Sequence, residues 1–414
     1  MPDWTISTTG TDPAPAQVLA EETHLPLTRP ISQPSAYLLH GSDQARIAAA
    51  AQATLQAGHR LVLLPGPPTG ALPDGTVVQI DERRVRADAH TGGDVRGGWD
   101  VAMFTSGSTT GTPRGYGFTR AQLDQVTAWY EQIYHVTKDS IIVTALPAAY
   151  NFTFVAGVLL AARLGARLHL SRSLPRVLHD AKHLAGTADR LIVLANPVIL
   201  DHAQAAGPLP RHVLVDSGGA PLSTTAVMDY RNHGIDLREG YGLTETASLT
   251  HFDAEAGINS LGTVGTEMPG VRTIVDTAGG EPVIELTSPT IGIPLDLTEP
   301  AADDRLRTTD LGRLDDRSRL RLLGRADDNQ IGGLWPRDLL DVLGPLLRRR
   351  CALIRHHGGQ ATIRLLSDVS TEYATAIQCR AADALGISPD DVAVAGQGTA
   401  PLLHSVKLSR DPQR

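Results

Sequence analysis

A stretch rich in glycine, serine and threonine, FTSGSTTGTPRG, spans residues 104–115. Its twelve residues include three Gly, two Ser and four Thr, so they offer many amides and hydroxyls with little side-chain bulk. Successive backbone amides in such a loop can form an anion-binding nest, and Arg114 adds a fixed positive charge. The Walker pattern is absent, because Thr112 and Pro113 follow Gly111 where that pattern requires Lys and Ser or Thr. The loop therefore predicts a site for an oxygen-rich anion outside the Walker class.

The composition is that of a globular protein and excludes several classes. The chain has 414 residues, 42% hydrophobic and 20% charged, which predicts two or three domains with at least one large core. A net charge of −8 argues against a nucleic-acid partner. No run of about 18 apolar residues occurs, so we expect no membrane span. The chain start shows no secretion signal, so we expect a cytoplasmic protein with Cys351 and Cys379 as reduced core thiols.

Strands and helices alternate on both sides of the loop. Thr119 is placed to cap a helix, and NFTFVAGVLLAARLGA (151–166) reads as another helix. Apolar runs that predict strands include IIVTALP (141–147), LIVLANP (191–197) and HVLVDSGGAP (212–221). This alternation indicates an α/β fold with a largely parallel sheet covered on both faces. Ligands of such sheets bind beyond the carboxyl ends of the strands.

The texture of the sequence changes in its last third. Short β-rich runs fill residues 258–323 and predict a more antiparallel subdomain. After GRADDN (324–329) a new small α/β unit begins. We therefore expect a large N-terminal domain of layered, mostly parallel sheets with helices over residues 1–326, followed by a small, mobile α+β domain over residues 327–414.

Six motifs, in order, resemble those of the adenylate-forming superfamily, which includes acyl-CoA synthetases, peptide-synthetase adenylation domains and luciferases. The glycine-rich loop is similar to the phosphate loop of that superfamily. The other five motifs are SGGAPLS (217–223, adenine turn), YGLTET (241–246), TTDLGR (308–313, ribose motif), GRADDNQI (324–331, hinge) and VKLSR (406–410, catalytic lysine). The chain is closest in character to the aryl-acid–AMP ligases of the superfamily.

The resemblance implies that the chain uses ATP and Mg²⁺ to convert a carboxylic acid to an acyl-adenylate, with release of pyrophosphate. The residues that it assigns to the phosphates of ATP are Thr105, Ser106, Gly107, Ser108, Thr109, Thr110 and Gly111. Those that it assigns to adenine and ribose are Gly218, Gly219, Ala220, Tyr241, Gly242, Asp310 and Arg325.

The resemblance also assigns the catalytic groups and a hinge. Glu245 would hold Mg²⁺ through a hard carboxylate oxygen, and Thr244 would contact the α-phosphate. Lys407 would bridge the attacking carboxylate and the α-phosphate, which offsets the repulsion of two anions. Asp327 lies at the hinge about which the small domain would turn. Arg114 stands where the superfamily usually has Lys, so its charge is retained with a different geometry.

The acid is predicted from the start of the helix at residue 151. Tyr150, Asn151 and Phe152 resemble the His-Asn-Tyr of aryl-acid-activating domains, so the resemblance implies an aryl acid with hydroxyl or amino groups. Asn151 has an equally weighted alternative role, which is to cap or brace the helix start. Ser217 and Ser248 are further candidates for polar contacts with the acid.

Alternatives remain open for the acceptor and for the activity itself. The acceptor could be CoA, the phosphopantetheine of an acyl or aryl carrier protein, or an amine, because the segment after the hinge departs from the superfamily pattern. A protein that binds nucleotide without catalysis is the competing class, and a ligase that activates a non-carboxylate such as nitrite is another alternative. His233, His356 and His357 lack a metal-site spacing, so we expect them to be surface residues.

Overall fold

The structure is a computed structural model that describes residues 3–25, 35–68, 72–82, 84–105, 113–202, 207–298, 304–366 and 368–396. Of the predicted site residues, Ser106, Gly107, Ser108, Thr109, Thr110, Gly111 and Lys407 lie outside the described residues. No helix among the residues described is long and apolar enough to cross a membrane.

The strands of the described residues form four sheets. We number the strands along the chain. They are β1 (Thr5–Thr8), β2 (Ala14–Pro15), β3 (Ala36–His40), β4 (Arg60–Leu63), β5 (Gly75–Asp81), β6 (Arg84–His90), β7 (Val101–Phe104), β8 (Gly115–Phe118), β9 (Ile141–Thr144), β10 (Arg167–Leu170), β11 (Leu191–Ala195), β12 (Val213–Ser217), β13 (Asp236–Tyr241), β14 (His251–Phe252), β15 (Thr266–Glu267), β16 (Arg272–Asp276), β17 (Val283–Thr287), β18 (Ile293–Pro294), β19 (Arg305–Leu314), β20 (Leu320–Arg325), β21 (Ala352–His357), β22 (Gln360–Leu365) and β23 (Val392–Gly396).

The α-helices are numbered in the same way. They are α1 (Ala16–Glu21), α2 (Gln44–Gln56), α3 (Arg120–Tyr134), α4 (Asn151–Thr153), α5 (Leu160–Leu164), α6 (Val177–Leu184), α7 (Pro197–His202), α8 (Thr224–Asn232), α9 (Pro336–Leu347) and α10 (Thr371–Leu385). Thr119 caps α3 through a reciprocal capping box with Gln122, as its position before an apolar-periodic run predicts. Between α4 and α5 the helix continues as a π-helical segment, Phe154–Leu159.

Two large sheets share one hydrophobic core. The nine-stranded sheet has the order β15-β14-β13-β12-β11-β9-β10-β1-β2, and its central pairs are parallel. The seven-stranded sheet has the order β18-β8-β7-β4-β3-β5-β6. Leu39 and Val101 from the second sheet join Ile142 and Val215 from the first in one buried cluster. The predicted α/β fold is confirmed.

The β-rich region forms an antiparallel sheet of four strands in the order β16-β17-β19-β20. After it the chain builds a small unit, in which β21, β22 and β23 form a three-stranded sheet beside α9 and α10. This unit has a core of its own, which includes Leu339, Leu343, Ile363, Ile377 and Leu385. A separate core allows the unit to keep its shape if it moves relative to the rest of the chain.

Two expectations from the sequence are wrong. Cys351 is buried, but Cys379 is exposed on α10 and is not a core thiol. His356 is fully buried rather than on the surface, because β21 turns it inward, where its Nδ1 lies 3.2 Å from the carbonyl oxygen of Asn329. Burial lowers the pKa of His356.

Candidate active site

A buried carboxylate joins three of the predicted motifs. The Tyr241 hydroxyl donates to Oδ2 of Asp310 at 2.8 Å, and Nη1 of Arg325 donates to Oδ1 at 2.6 Å. Tyr241 and Asp310 are each only 7% exposed, and burial raises the pKa of the Tyr241 hydroxyl well above its usual range. Tyr241 therefore remains a proton donor at neutral pH. Because β13, β19 and β20 carry these residues, the network ties the β-rich sheet to the parallel one.

A cavity of about 230 Å³ opens above this network, between the large part of the chain and the small unit. Predicted nucleotide and acid residues that line it are Ser217, Gly219, Ala220, Tyr241, Gly242, Asp310 and Arg325. The small unit contributes residues 351–354 and part of α9 to the wall. Asn196, Glu239 and Arg337 also line the cavity, and sequence reasoning missed all three.

Glu245 sits on a tightly constrained turn directly after β13. Thr244–Thr246 form one 3₁₀ turn, after which Ala247 and Ser248 adopt positive φ angles of 56° and 110°. A Cβ at Gly242 would lie 1.2 Å from the carbonyl oxygen of Ser248, so only glycine fits there. Strained backbone of this kind persists only where the surrounding structure holds it, which is typical of functional loops.

The charge of Glu245 reaches the buried network. Burial alone would lower the pKa of Arg325. Asp310, Tyr241 and Glu245 together outweigh this effect and raise the pKa above its usual value. No group of three or more His, Cys, Asp or Glu among the described residues could hold a metal on its own. Mg²⁺ in phosphate-transfer sites is commonly bound by one or two carboxylates together with substrate phosphates. Glu245 therefore fits a Mg²⁺ ion that arrives with a polyphosphate.

The two ends of the glycine-rich loop are held together. The amide of Thr105 donates to the carbonyl oxygen of Arg114 at 2.9 Å, and the amide of Arg114 donates to Oγ1 of Thr105 at 2.9 Å. These bonds continue the antiparallel pairing of β7 with β8. Thr105 and Arg114, at the two ends of the loop, are therefore held next to each other.

The predicted acid-binding residues lie around the start of α4. Tyr150, not Asn151, occupies the N-cap position of α4, so the structure does not show Asn151 capping this helix. A Cβ on Gly218 would lie 3.6 Å from the ring of Phe152, which places the adenine turn beside the helix start. Sequence reasoning missed Tyr130, whose hydroxyl lies 2.8 Å from Oγ of Ser248.

The segment that joins the large part to the small unit has two neighbouring aspartates with different surroundings. Asp327 forms an ion pair with Arg355 of β21. Asp328 is buried and accepts from the amide of Arg325 at 2.8 Å and from the amide of His356 at 3.2 Å. Asp328 thus connects the last strand of the β-rich sheet to the first strand of the small unit, a role that the sequence did not reveal.

Part of the chain matches a known protein family. Residues 98–287 match the model of a family described as AMP-binding enzyme. The resemblance to adenylate-forming enzymes is confirmed. No curated protein matches the sequence.

Three solved structures share the fold over nearly the whole chain. ATP-bound MatB from Rhodopseudomonas palustris matches with a TM-score of 0.76 at 17% identity, covering 100% of this chain and 95% of that one. o-Succinylbenzoate CoA synthetase from Bacillus subtilis with its acyl-adenylate, OSB-AMP, gives 0.74 at 18%, covering 100% and 95%. The anthranilate CoA ligase AuaEII with anthranoyl-AMP gives 0.74 at 14%, covering 98% and 92%.

Beneath the candidate site lies a second buried carboxylate. Asp216 on β12 is 1% exposed and accepts from the hydroxyl of Tyr134. Its Oδ1 has no donor among the residues that the structure describes, and it packs against Gly240. Burial raises the pKa of Asp216 to about 7. The folded protein therefore binds a proton here that the unfolded chain releases near its ordinary pKa of 3.8.

This proton makes the stability of the domain depend on pH. The contribution of Asp216 is fully present below its unfolded pKa and is lost as pH rises through about 7. Asp216→Asn removes this dependence on pH. The difference in free energy of unfolding between variant and wild type should therefore rise by about 3 kcal/mol, in favour of the variant, from about pH 5 to about pH 8. Urea unfolding at both pH values measures this difference. Parallel pH profiles for the two proteins would show that Asp216 is ionised in the folded state.

Proposed function

We propose that the chain activates a carboxylic acid with ATP. One oxygen of the acid attacks the α-phosphorus of ATP and forms a new P–O bond, while the bond from that phosphorus to the bridging oxygen of the β-phosphate breaks. The products are an acyl-adenylate and pyrophosphate. The observation that carries the proposal is the convergence of Tyr241, Asp310 and Arg325 at one cavity, with Glu245 close enough for its charge to act on Arg325.

The nucleoside would occupy the cavity beside Asp310. Each carboxylate oxygen has about two lone-pair sites, and Tyr241 and Arg325 use one on each oxygen. The remaining sites can accept from the two ribose hydroxyls. Gly219 and Ala220 line the cavity with almost no side-chain bulk, and the Tyr241 ring would lie against the base.

The triphosphate would extend toward the glycine-rich loop and the Glu245 turn. Arg114, with Thr105 and the loop residues 106–111, would bind the β- and γ-phosphates. Glu245 would hold Mg²⁺, which supplies positive charge to the phosphate oxygens when bound, and Thr244 would donate to the α-phosphate. Lys407 would place its ammonium between the acid and the α-phosphate, where negative charge develops.

The acid proposed is aromatic, with a hydroxyl or amino group near its carboxylate. Asn151 supports this choice, because Tyr150 rather than Asn151 occupies the N-cap position of α4 and no side chain caps this helix. Phe152 and Gly218 supply an apolar wall. Two proteins of the same fold were solved with adenylates of acids that contain an aromatic ring, OSB-AMP and anthranoyl-AMP. CoA, or a carrier protein bearing phosphopantetheine, is the proposed acceptor.

A pyrophosphate-exchange assay tests the proposal directly. Wild-type protein, ATP and Mg²⁺ are incubated with benzoates, cinnamates, amino acids and nitrite, one at a time. We expect exchange with at least one substituted benzoate or cinnamate and the matching acyl-adenylate by mass spectrometry. ATP binding with no exchange for any acid would contradict the proposal and favour a non-catalytic nucleotide-binding protein.

Glu245→Gln should lower the exchange rate at least about 100-fold, because an amide oxygen replaces the charged magnesium ligand. The rate is measured at saturating ATP across a magnesium titration. Glu372→Gln is the matched control, since Glu372 is exposed on α10 and does not line the cavity. Equal rates for the two variants would remove Glu245 from the mechanism.

Lysine is scarce in this chain, which makes Lys407 a sharp target. Lys138, Lys182 and Lys407 are its lysines. Lys407→Ala should reduce adenylation at least about 100-fold without loss of ATP binding, whereas Lys138→Ala should leave it unchanged. The readout is pyrophosphate exchange together with an ATP titration. Normal exchange by Lys407→Ala would show that the C-terminal motif has another role.

The role of Asn151 is tested with pairs of acids. Asn151→Ala should raise the KM for a hydroxy- or aminobenzoate about tenfold, because one hydrogen bond to the ring substituent is lost. The KM for unsubstituted benzoate should not change, so the ratio of the two values is the measurement. An equal rise for both acids would assign Asn151 to the fold of the helix start instead.

A further inference from the structure

An arginine of the small unit reaches into the nucleotide turn of the large part. Arg337 lies in the first turn of α9, is 4% exposed and donates through Nη1 to the carbonyl oxygen of Leu222. Leu222 is in the SGGAPLS segment, which carries the proposed adenine contacts Gly219 and Ala220. The small unit therefore contacts the proposed ATP site in two ways. Arg337 binds the backbone of the turn, and other residues of the unit line the cavity.

The other side of the same residue is held from the parallel sheet. The amide of Leu222 donates to Oε1 of Glu239 at 3.2 Å, and Glu239 is 5% exposed on β13. Burial raises the pKa of Glu239, and the positive charge of Arg337 acts against that rise. Leu222 thus connects the buried carboxyl group of Glu239 to the buried guanidinium of Arg337. A charge in such a place is costly to leave without its partner.

Further contacts hold α9 in place, and one of them involves Arg337 itself, whose Nε lies 3.5 Å from Oδ2 of Asp341. Asp341 accepts from the amide of Thr224 at 2.7 Å and from Arg321 at 2.9 Å. Arg349, just after α9, pairs with Asp229 of α8 and stacks on a tyrosine ring. The Arg349 contacts lie on α8, outside the SGGAPLS segment, so Arg349 provides the comparison for Arg337.

We propose that Arg337 is a positioning residue that makes the shape of the nucleotide turn, and hence ATP affinity, depend on docking of the small unit. With α9 docked, Glu239 and Arg337 fix both polar groups of Leu222 and hold the turn for the base. When the small unit moves away, Arg337 leaves and the turn loosens, which favours release of nucleotide. The inference rests on the proposed function only in that the turn binds ATP.

Isothermal titration of the full-length protein with ATP tests the inference in Arg337→Met, which keeps the apolar stem of the side chain. We expect ATP affinity to fall at least about tenfold. Arg349→Met, which weakens docking elsewhere, should stay within about twofold of wild type. Hydrogen exchange of the Leu222 amide should speed up in Arg337→Met alone. Equal losses of ATP affinity in the two variants would overturn the inference, because Arg337 would then act only through docking.

Glu239→Gln completes the design, because glutamine still accepts from the Leu222 amide but carries no charge. Arg337→Met should cost less in ATP affinity in the Glu239→Gln background than in wild type, since the carboxyl group of Glu239, on which the charge of Arg337 acts, is then absent. An identical loss in both backgrounds would contradict the coupling through Leu222. Melting temperatures confirm that each variant is folded. If wild-type protein binds no ATP, the proposed function fails, and this result is distinct from every outcome above.

Discussion

The site depends on one buried carboxylate. Asp310 lies on a long strand of the β-rich sheet and is bound by Tyr241 from the parallel sheet and by Arg325 from the neighbouring strand. A carboxylate that is 7% exposed needs such partners, because burial of an uncompensated charge is costly. The two sheets can meet at this point only with the hydrogen bonds in place. The same bonds orient the oxygens toward the cavity that we propose for the nucleoside.

The remaining parts of the site are arranged around this point by backbone geometry. The nucleotide turn and the Glu245 turn follow β12 and β13, whose carboxyl ends lie side by side in the parallel sheet. Gly242 allows the Glu245 turn to pack against Ser248. The small unit closes the cavity from the other side through α9 and β21. The residues proposed for binding and catalysis and the contacts of the small unit therefore share the same few backbone segments.

Sequence reasoning found those residues of the candidate site that belong to local motifs. Tyr241, Asp310 and Arg325 come from three separate motifs, and the structure brings them together. It failed where a contact depends on docking. Glu239 and Arg337 belong to no motif. The burial of Arg337 was not expected, because an arginine at the start of a helix is usually solvated. The burial of His356 likewise follows from how β21 packs against the hinge segment, which no local pattern records.

The π-helical segment was also missed, for a physical reason. Residues 154–159 are apolar and are almost all buried, so no change in side-chain period marks the change in hydrogen bonding. Tyr130 and Tyr134 could have been found. They lie four residues apart on α3, so they face the same side, and a buried tyrosine hydroxyl usually needs a polar partner. Those partners are Ser248 and Asp216.

The central claim is that Asp310 accepts the ribose hydroxyls of ATP. Titration of wild type and Asp310→Ala with ATP and with 2′,3′-dideoxy-ATP tests it most directly. Wild type should bind ATP about 10- to 100-fold more tightly than the dideoxy analogue, because hydrogen bonds to a charged acceptor contribute about that much to affinity. The Asp310→Ala variant should bind the two nucleotides equally. Equal affinity of wild type for the two nucleotides would contradict it.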